Sequence, residues 1–438
     1  MNKFFRSSQV IVCILLTWVV AISCLHADTA QNEREKTYKE LEIFANVLSI
    51  LQENYVDEID SKKVIDGAIR GLLYSLDPHS SYLKPEEFTE LQEETQGSFS
   101  GIGIEISVEN ATLRIISPIE GTPAYKAGLK AKDIIVEIDG VKTVEMGTEE
   151  AIKRLRGPKG STVKIAILRD EWKESQTFTL VRDMIPLQSV KSFFIAPNII
   201  YSRITNFQSN TTDDFKKALQ ALHAKQQVNG LILDLRNNPG GLLNQAVSLS
   251  DLFLSSGTIV YTKGRTEEQN MVFSAHNAGD EPKYPLVILV NEGSASASEI
   301  VAGAMQAQKR GVLVGVRTFG KGSVQTIIPL PEGAGLRLTT ARYYTPDNRS
   351  IQGKGIMPDV EVPVATANSE VKIKAKNKNL LHENAGAAHP VGSESEPSSS
   401  PESSADMKMQ LANDNQLRTA LVVLKNLIAS PDSPSLRN

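Results

Sequence analysis

A chain of 438 residues is long for one hydrophobic core, so its length favours more than one domain. With 41% apolar and 22% charged residues, most of the chain is expected to be globular. The formal net charge is -4, and the Lys and Arg residues form no cluster that would neutralise nucleic-acid phosphates. We therefore expect no nucleic-acid partner.

Residues 1–27 are typical of an export signal or a membrane anchor. Lys3 and Arg6 precede an almost unbroken apolar run, Val10–Leu25, as in the charged and apolar regions of a signal peptide. The run is short for a spanning helix, which needs roughly 20 apolar residues. Cleavage after Ala27 is predicted, but Leu25 stands where a small residue is preferred, so an uncleaved inner-membrane anchor is the alternative. Either way, we expect an exported, periplasmic protein that meets the membrane only through this segment.

Both cysteines, Cys13 and Cys24, fall in this first segment. The mature protein would therefore have no disulfide, no cysteine nucleophile and no cysteine-bound zinc. We predict neither a metal nor a cofactor. The stability of such an exported protein would depend on its apolar core, which a chain of this length can supply.

Residues 28–96 are predicted to form a helical N-terminal region. Apolar residues recur at helical spacing from Tyr38 to Tyr55, and a second helix is expected from Val64 to Leu76. Asp77-Pro78 ends the second helix, because the residue before a proline is disfavoured in helical backbone.

Residues 97–182 are expected to form a compact, mostly β module. Short alternating strands such as Ile102–Val108 and Thr162–Leu168 dominate it, with one helix near Glu149–Leu155. The alternation places every second side chain of a strand on one buried face.

Residues 183–365 carry the pattern of an α/β domain. The apolar runs Gly230–Leu235 and Leu286–Val290 are each followed by a Gly-rich turn and a helix-like stretch, which is typical of buried strands. Functional residues usually lie at such turns, so these turns are the first places to look for chemistry.

The C-terminal part of the chain has two sections. Residues 366–406 lose the periodicity and are rich in Ser, Glu and Pro, as in a disordered linker. Residues 407–438 form a C-terminal helical segment, with an amphipathic helix expected from Gln416 to Ile428.

A serine-rich turn follows the predicted strand Leu286–Val290. The segment Gly293–Glu299 reads Gly-Ser-Ala-Ser-Ala-Ser-Glu and precedes a helical pattern. A serine at a strand-to-helix turn lies at the positive end of a helix dipole, where backbone N–H groups can bind an oxyanion. The same residues would also serve as a tight turn and helix N-cap without any catalytic role.

A serine nucleophile needs a base, and the histidines of the mature chain are poor candidates. None lies in a Gly-rich turn, so a Ser-His-Asp triad has no evident centre. Lys321 instead lies between two glycines, in a turn where burial would lower the pKa of its amine. The alternative is an ordinary solvated lysine.

Together these residues resemble the carboxyl-terminal processing peptidases, also called tail-specific proteases, over about Tyr38–Val362. The resemblance implies that Ser296 is the nucleophile and Lys321 the base, a Ser–Lys dyad. It also implies that the amide of Gln325, four residues after the lysine, orients the lysine amine.

The turn Asp234–Leu242, which contains Asn-Pro-Gly-Gly, resembles a second signature of that family. The resemblance implies an oxyanion hole made by the backbone N–H group of Ala297 and that of Gly240 or Gly241. Without the serine and lysine motifs, the same residues would indicate only a turn.

Residues Ser100–Ile104 and several later motifs resemble a PDZ domain. The resemblance implies that a loop of backbone N–H groups binds the terminal carboxylate of a peptide. The loop residues are Gly101, Ile102, Gly103 and Ile104. Arg156 matches a position that the family can use to sense a bound peptide, and a solvated surface arginine is the alternative.

The implied protein is an α+β multidomain chain with a helical N-terminal region, a mostly-β PDZ domain, an α/β protease core, a disordered linker and a C-terminal helix. We predict an exported serine endopeptidase that recognises the C-terminal tails of protein or peptide substrates. An adaptor protein and homo-oligomers both stay open as further partners. The alternatives are a non-catalytic PDZ scaffold or chaperone and a non-proteolytic serine hydrolase.

Overall fold

The computed structural model describes residues 35–109, 112–169, 171–280, 282–364 and 413–430. The chain divides into two compact units, one ending at Tyr82 and the other beginning at Leu83. The predicted export segment and the predicted linker 366–406 lie outside the described residues. Within the described ranges, no helix combines the length and apolar character needed to cross a membrane.

The N-terminal unit contains the two predicted helices. Helix α1 spans residues 35–54 and α2 spans Ser61–Tyr74. Helix α2 begins earlier than predicted because the Asp60 carboxylate caps it, accepting hydrogen bonds from the backbone N–H groups of Lys62 (2.9 Å) and Lys63 (3.2 Å). A short strand, β1 (Ser81–Leu83), follows in the sequence.

The first part of the C-terminal unit is mostly β, as predicted. Its elements in chain order are α3 (Pro85–Thr95), β2 (Ser98–Gly101), β3 (Ile104–Glu109), β4 (Thr112–Pro118), α4 (Pro123–Lys126), β5 (Ile134–Ile138), β6 (Val141–Lys142), α5 (Thr148–Leu155), β7 (Thr162–Leu168), β8 (Gln176–Val181) and β9 (Asp183–Pro186). The main sheet has the order β3-β4-β5-β7-β8, so β3 lies at its edge, and β2 pairs separately with β9.

The predicted strand Ile102–Val108 is wrong at its beginning, because strand β3 starts only at Ile104. Gly103 has a φ of 79°, in the left-handed region, and turns the chain away from β2. A Cβ atom at Gly103 would lie 2.3 Å from Cβ of Thr122. Ile102 is buried in the core of the module, so the interruption creates a fixed loop beside the sheet edge.

The rest of the C-terminal unit is an α/β core. Its elements in chain order are β10 (Val190–Ala196), β11 (Ile199–Ile204), α6 (Thr211–His223), β12 (Gly230–Asp234), α7 (Leu243–Asp251), β13 (Thr258–Gly264), β14 (Val272–Ser274), β15 (Leu286–Val290), α8 (Ala297–Ala307), β16 (Val312–Gly315), β17 (Ser323–Pro329), β18 (Gly335–Tyr344), β19 (Val360–Glu361) and α9 (Asn415–Ala429). The central sheet has the order β10-β11-β12-β15-β16-β19, and all neighbours except β10 and β11 run parallel.

Apolar side chains alternate between the two faces of this sheet. One face packs against α6, α7 and α8, which contribute buried residues such as Phe215, Leu249 and Val301. The other face packs against α9. Because both faces are covered, β12 and β15 are buried at every residue, which explains their continuous apolar runs.

A smaller antiparallel sheet lies beside the α/β core. Strand β17 pairs with β18, β18 with β13, and β13 with β14. The register of the β17–β18 hairpin shifts between Val324 and Gln325, close to the predicted lysine turn. This hairpin fixes the chain that follows that turn.

The first residues of helix α9 contact the chain just after β19, the last strand of the core. The side chains of Asn415 and Gln416 donate hydrogen bonds of 2.7 Å to the backbone oxygens of Pro363 and Val362. Leu424 is fully buried against the sheet, and a Cβ atom on Gly230 would lie 3.1 Å from its methyl groups. The predicted C-terminal helix is therefore confirmed, and it packs on its own chain.

We expect Leu424→Ala to destabilise the α/β core, because it removes buried methyl groups from the α9–sheet contact. The free energy of unfolding should fall by about 2–5 kcal/mol. Urea denaturation followed by circular dichroism measures this change. Val422→Ala is the matched control, since Val422 is 57% exposed on the same helix. Equal losses in both variants would contradict the packing of α9.

Candidate active site

Ser296 occupies the turn between β15 and α8. It is the N-cap residue of α8 and is 7% exposed. Its backbone has a φ of 53° and a ψ of -113°, a conformation that residues with a side chain rarely adopt. Strained backbone of this kind persists only where the surroundings fix it and is common in active sites.

The flanking serines make hydrogen bonds that hold neighbouring turns together. Ser294 Oγ donates to the backbone oxygen of Leu235 at 2.8 Å, and Ser298 Oγ donates to that of Asn238 at 2.9 Å. Both serines are fully buried. Their hydroxyls therefore bind the serine turn to the turn that follows β12. In this structural role, Ser294 and Ser298 differ from Ser296.

Lys321 lies in the turn between β16 and β17, as predicted. Its side chain is half-buried. Burial lowers the pKa of Lys321, and the positive charge of Arg337 lowers it further. Gly320, with a φ of 94°, packs so closely against residues 353–355 that a Cβ atom would lie 3.0 Å from the backbone nitrogen of Gly355.

Glu299, on the first turn of α8, joins the serine and lysine turns. One carboxylate oxygen, Oε2, accepts hydrogen bonds from the backbone N–H groups of Ser296 (2.9 Å) and Lys321 (2.8 Å). The other, Oε1, accepts from the Thr318 hydroxyl and from Gly320 N–H (2.7 Å). Four donors around one side chain match an ionised carboxylate, which is purely an acceptor.

Glu299 is fully buried, and burial raises the pKa of its carboxyl group, while its four hydrogen bonds oppose that shift. Sequence reasoning did not single out this residue. The signal was present, because Ser296-x-x-Glu299 has the spacing of a capping box, in which the glutamate side chain reaches back to the N-cap N–H group.

The Asn-Pro-Gly-Gly turn lies against Ser296. A Cβ atom on Gly240 would lie 2.8 Å from Cβ of Ser296 and 2.9 Å from the backbone nitrogen of Ala297. Asn238 holds this turn against the serine turn, since its backbone oxygen accepts a hydrogen bond from Ala295 N–H at 3.0 Å. The proximity of Gly240 to Ser296 requires the absence of a side chain at this position.

The predicted oxyanion donors differ in their present partners. Gly240 N–H donates to Asn238 Oδ1 at 2.9 Å, so it would have to leave that oxygen to bind an oxyanion. Ala297 is the first residue of α8, and N–H groups at this position of a helix have no intrahelical acceptor. Gly241 follows with a φ of 136° and pairs with Phe207 as an isolated bridge.

Gln325 and Tyr343 lie on β17 and β18, the two strands that follow the lysine turn. The Gln325 side-chain amide donates to Ser323 Oγ at 3.0 Å, a partner different from the predicted Lys321 amine. Tyr343 on β18 was not predicted. Burial raises the pKa of its phenol, and a hydrogen bond with the Ser296 side chain opposes that shift, so this tyrosine is a direct neighbour of Ser296.

A groove runs between the edge strand β3 and helix α5 of the β module. It is lined by Phe99, Gly101, Ile102, Gly103, Ile104, Ile106, Ile152, Leu155 and Arg156. All four predicted carboxylate-binding residues are among them. The backbone oxygens of Ile102 and Gly103 accept hydrogen bonds from Ala124 (2.9 Å) and Ile119 (3.0 Å), which fixes the loop on the module.

Arg156 lies at the rim of this groove and is exposed. Its guanidinium carbon lies 5.1 Å from the centre of the Phe99 ring, a cation–π contact. Phe99 belongs to β2, whose partner β9 leads into the α/β core. The arginine is thus held between the groove and the connection to the core.

Comparisons with known proteins agree with these features. A model of peptidase family S41 matches residues 198–362, a PDZ domain model matches 90–168, and a model of the activating protease CtpB N-terminal domain matches 16–87. A carboxy-terminal-processing protease of Bartonella bacilliformis is 41% identical over 82% of this chain and 85% of its own. A carboxyl-terminal-processing protease of Picosynechococcus sp. is 42% identical over 66% of this chain and 70% of its own.

A solved structure of a photosystem II D1 C-terminal processing protease is 31% identical and covers 75% of this chain and 95% of its own, with a TM-score of 0.45. The identity to the curated relatives extends over most of the chain, well beyond the serine and lysine turns. The alternative of a non-catalytic scaffold finds no support among these relatives. The chain therefore belongs to peptidase family S41 and is a carboxyl-terminal processing serine protease with a PDZ domain.

Proposed function

We propose that Ser296 and Lys321 form the catalytic dyad of this protease. The observation that carries the proposal is the Glu299 carboxylate, because its Oε2 atom accepts a hydrogen bond from the backbone N–H group of each residue. One buried group thus holds both members, although they come from different turns. The lowered pKa of Lys321 supports the assignment, since a general base must be neutral to accept a proton.

In the proposed reaction, the neutral amine of Lys321 takes the hydroxyl proton of Ser296 as the serine oxygen attacks the substrate carbonyl. The oxyanion is stabilised by the N–H groups of Ala297 and of Gly240 or Gly241, at the positive end of α8. The lysine ammonium then gives its proton to the leaving amine. Water attacks the acyl-enzyme with the same base, which releases the acid and restores the serine hydroxyl.

The groove is proposed to select substrates by their free C-termini. A peptide that adds to edge strand β3 would place its carboxylate at the loop Gly101–Ile104. The groove walls include Ile104, Ile106 and Ile152, which favours an apolar last side chain. Arg156 is proposed to sense the bound peptide, and its contact with Phe99 supports this role.

Export is part of the proposal. The sequence of Lys3, Arg6 and the apolar run Val10–Leu25 supports translocation to the periplasm, with the first segment either cleaved or kept as an anchor. Proteins or peptides with free C-termini in that compartment would then be the substrates. Immunoblotting of periplasmic and membrane fractions tests this localisation, with the unsubstituted protein compared with a Lys3→Glu, Arg6→Glu variant.

Ser296→Ala and Lys321→Ala are each expected to lower kcat by at least about 10⁴-fold, because each removes one half of a functional unit. Cleavage of an unfolded model protein, followed by gel electrophoresis and mass spectrometry, measures the effect. Lys354→Ala is the matched control, since Lys354 is an exposed lysine of a nearby loop. Substantial activity in either dyad variant, with intact folding by circular dichroism, would contradict the dyad.

The rate should depend on the ionisation of Lys321. Its pKa is lowered from 10.5, and the protonated amine is inactive, so kcat/KM should rise with pH through that lowered pKa. Arg337→Gln removes a positive charge that lowers this pKa, so the midpoint of the pH profile should move to higher pH. Arg342→Gln, an exposed arginine on the same strand, should leave the midpoint in place. An unchanged midpoint in both variants would argue against Lys321 as the titrating base.

Substrate selection should depend on the tail. Amidating the C-terminus of a peptide substrate, or ending it with Asp, should raise KM while kcat at saturation stays similar, because tethering raises the effective substrate concentration. Ile152→Glu, which places a charge in the groove, should reduce the difference between the free and amidated peptides. Equal KM values for all peptides in the unsubstituted protein would refute recognition by the groove.

A further inference from the structure

The turn that bears Gly240 begins with a buried ion pair. Asp234, the last residue of β12, is fully buried. Its carboxylate accepts hydrogen bonds from Arg236 N–H at 2.9 Å, from the Arg236 guanidinium at 2.6 Å and from the Tyr201 hydroxyl at 2.8 Å. The Arg236 side chain therefore folds back on the start of its own turn.

The other side of the same guanidinium binds the beginning of the C-terminal helix. Asp414 is the N-cap residue of α9. Its Oδ1 atom accepts a hydrogen bond from Arg236 Nη1 at 3.0 Å, and its Oδ2 atom lies 2.8 Å from Arg236 Nη2. Gln416 Oε1 accepts a further hydrogen bond from Nη1 at 3.2 Å. Such a bidentate contact fixes both the position and the orientation of a guanidinium.

Apolar packing holds α9 on the core in addition to this contact. Leu417, Ala420 and Leu424 already bury the apolar face of the helix against the sheet. The Asp414 carboxylate also caps the helix by accepting Leu417 N–H at 2.8 Å. Bringing a further charge pair out of water costs free energy that apolar packing would avoid, so a role beyond docking is indicated.

The turn transmits the position of Arg236 to the proposed oxyanion hole. Asn237, the next residue, donates its backbone N–H to Asn291 Oδ1 at 2.8 Å. Asn238 holds the serine turn through Ala295 and Ser298. Gly240 then lies against Ser296. Because these hydrogen bonds tie the turn together from Arg236 to Gly240, a shift of Arg236 would displace Gly240 as well, and small misplacements of a catalytic group lower rates strongly.

We infer that Asp414 is a positioning residue for catalysis: through Arg236, the N-terminus of the C-terminal helix sets the placement of the oxyanion turn. This inference rests on the proposed function. It predicts that loss of the Asp414–Arg236 contact slows the chemical step while substrate binding in the groove stays intact.

The test compares Asp414→Asn with Asp414→Glu in the full chain. Asparagine keeps the helix cap but loses the charge, and we expect kcat to fall by about tenfold with KM nearly unchanged. Glutamate keeps the carboxylate and should retain most of kcat. Lys425→Ala, an exposed position of the same helix, should change neither parameter.

Two further measurements separate positioning from stability. Leu424→Ala, assayed below its melting temperature, should lose stability but keep kcat, because the Arg236 contact is preserved. A peptide aldehyde that forms a tetrahedral adduct with the serine should bind Asp414→Asn more weakly by the same factor as kcat/KM. Unchanged kcat in Asp414→Asn, or an equal loss in Leu424→Ala, would overturn the inference. Full activity of Ser296→Ala in the same assay would instead overturn the proposed function.

Discussion

Glu299 lies in an environment that is unfavourable for an acidic side chain, because it is fully buried. A carboxylate there is tolerated only when hydrogen bonds replace its hydration. The donors come from Ser296 N–H and from the segment Thr318–Lys321, so residues on two separate turns are tied to one group. Moving one turn relative to the other would cost the buried carboxylate at least one of its four hydrogen bonds. The serine and the lysine therefore cannot shift independently at low cost.

The backbone of Ser296 depends on the same constraint. Its positive φ would relax if the turn were free. The Glu299 hydrogen bond fixes its N–H group on one side, and Gly240 packs against its Cβ atom on the other. A side chain at Gly240 would displace Ser296, which explains why this turn needs glycine at that point.

Much of the architecture follows from simple patterns in the sequence. Strands such as Leu286–Val290, which ends before the serine turn, can be predicted because their residues are apolar throughout, as required of strands covered on both faces. The serine and lysine turns stood out through their small residues. Glu299 was missed because an acidic residue in the first turn of a helix usually serves only as a cap, and sequence does not reveal a second set of donors.

Other features depend on contacts that sequence patterns cannot express. The alternation of Ile102–Val108 predicted a continuous strand, but it carries no information on the φ of Gly103, where the chain turns. The amphipathic pattern of the C-terminal helix indicated an apolar face without identifying the surface that it covers. The pairing of Arg236 with Asp414 joins positions far apart in the chain, and only the folded structure brings them together.

The two ends of the segment 365–412 meet at one place, since Asn415 bonds to Pro363. If residues 366–406 form the linker predicted from the sequence, the free energy needed to close it rises only slowly with its length, because the entropy term is logarithmic. Lengthening or shortening this segment would thus leave α9 able to reach the same face of the sheet. Insertion of a reporter domain or an affinity tag into that linker is then expected to leave the protease undisturbed.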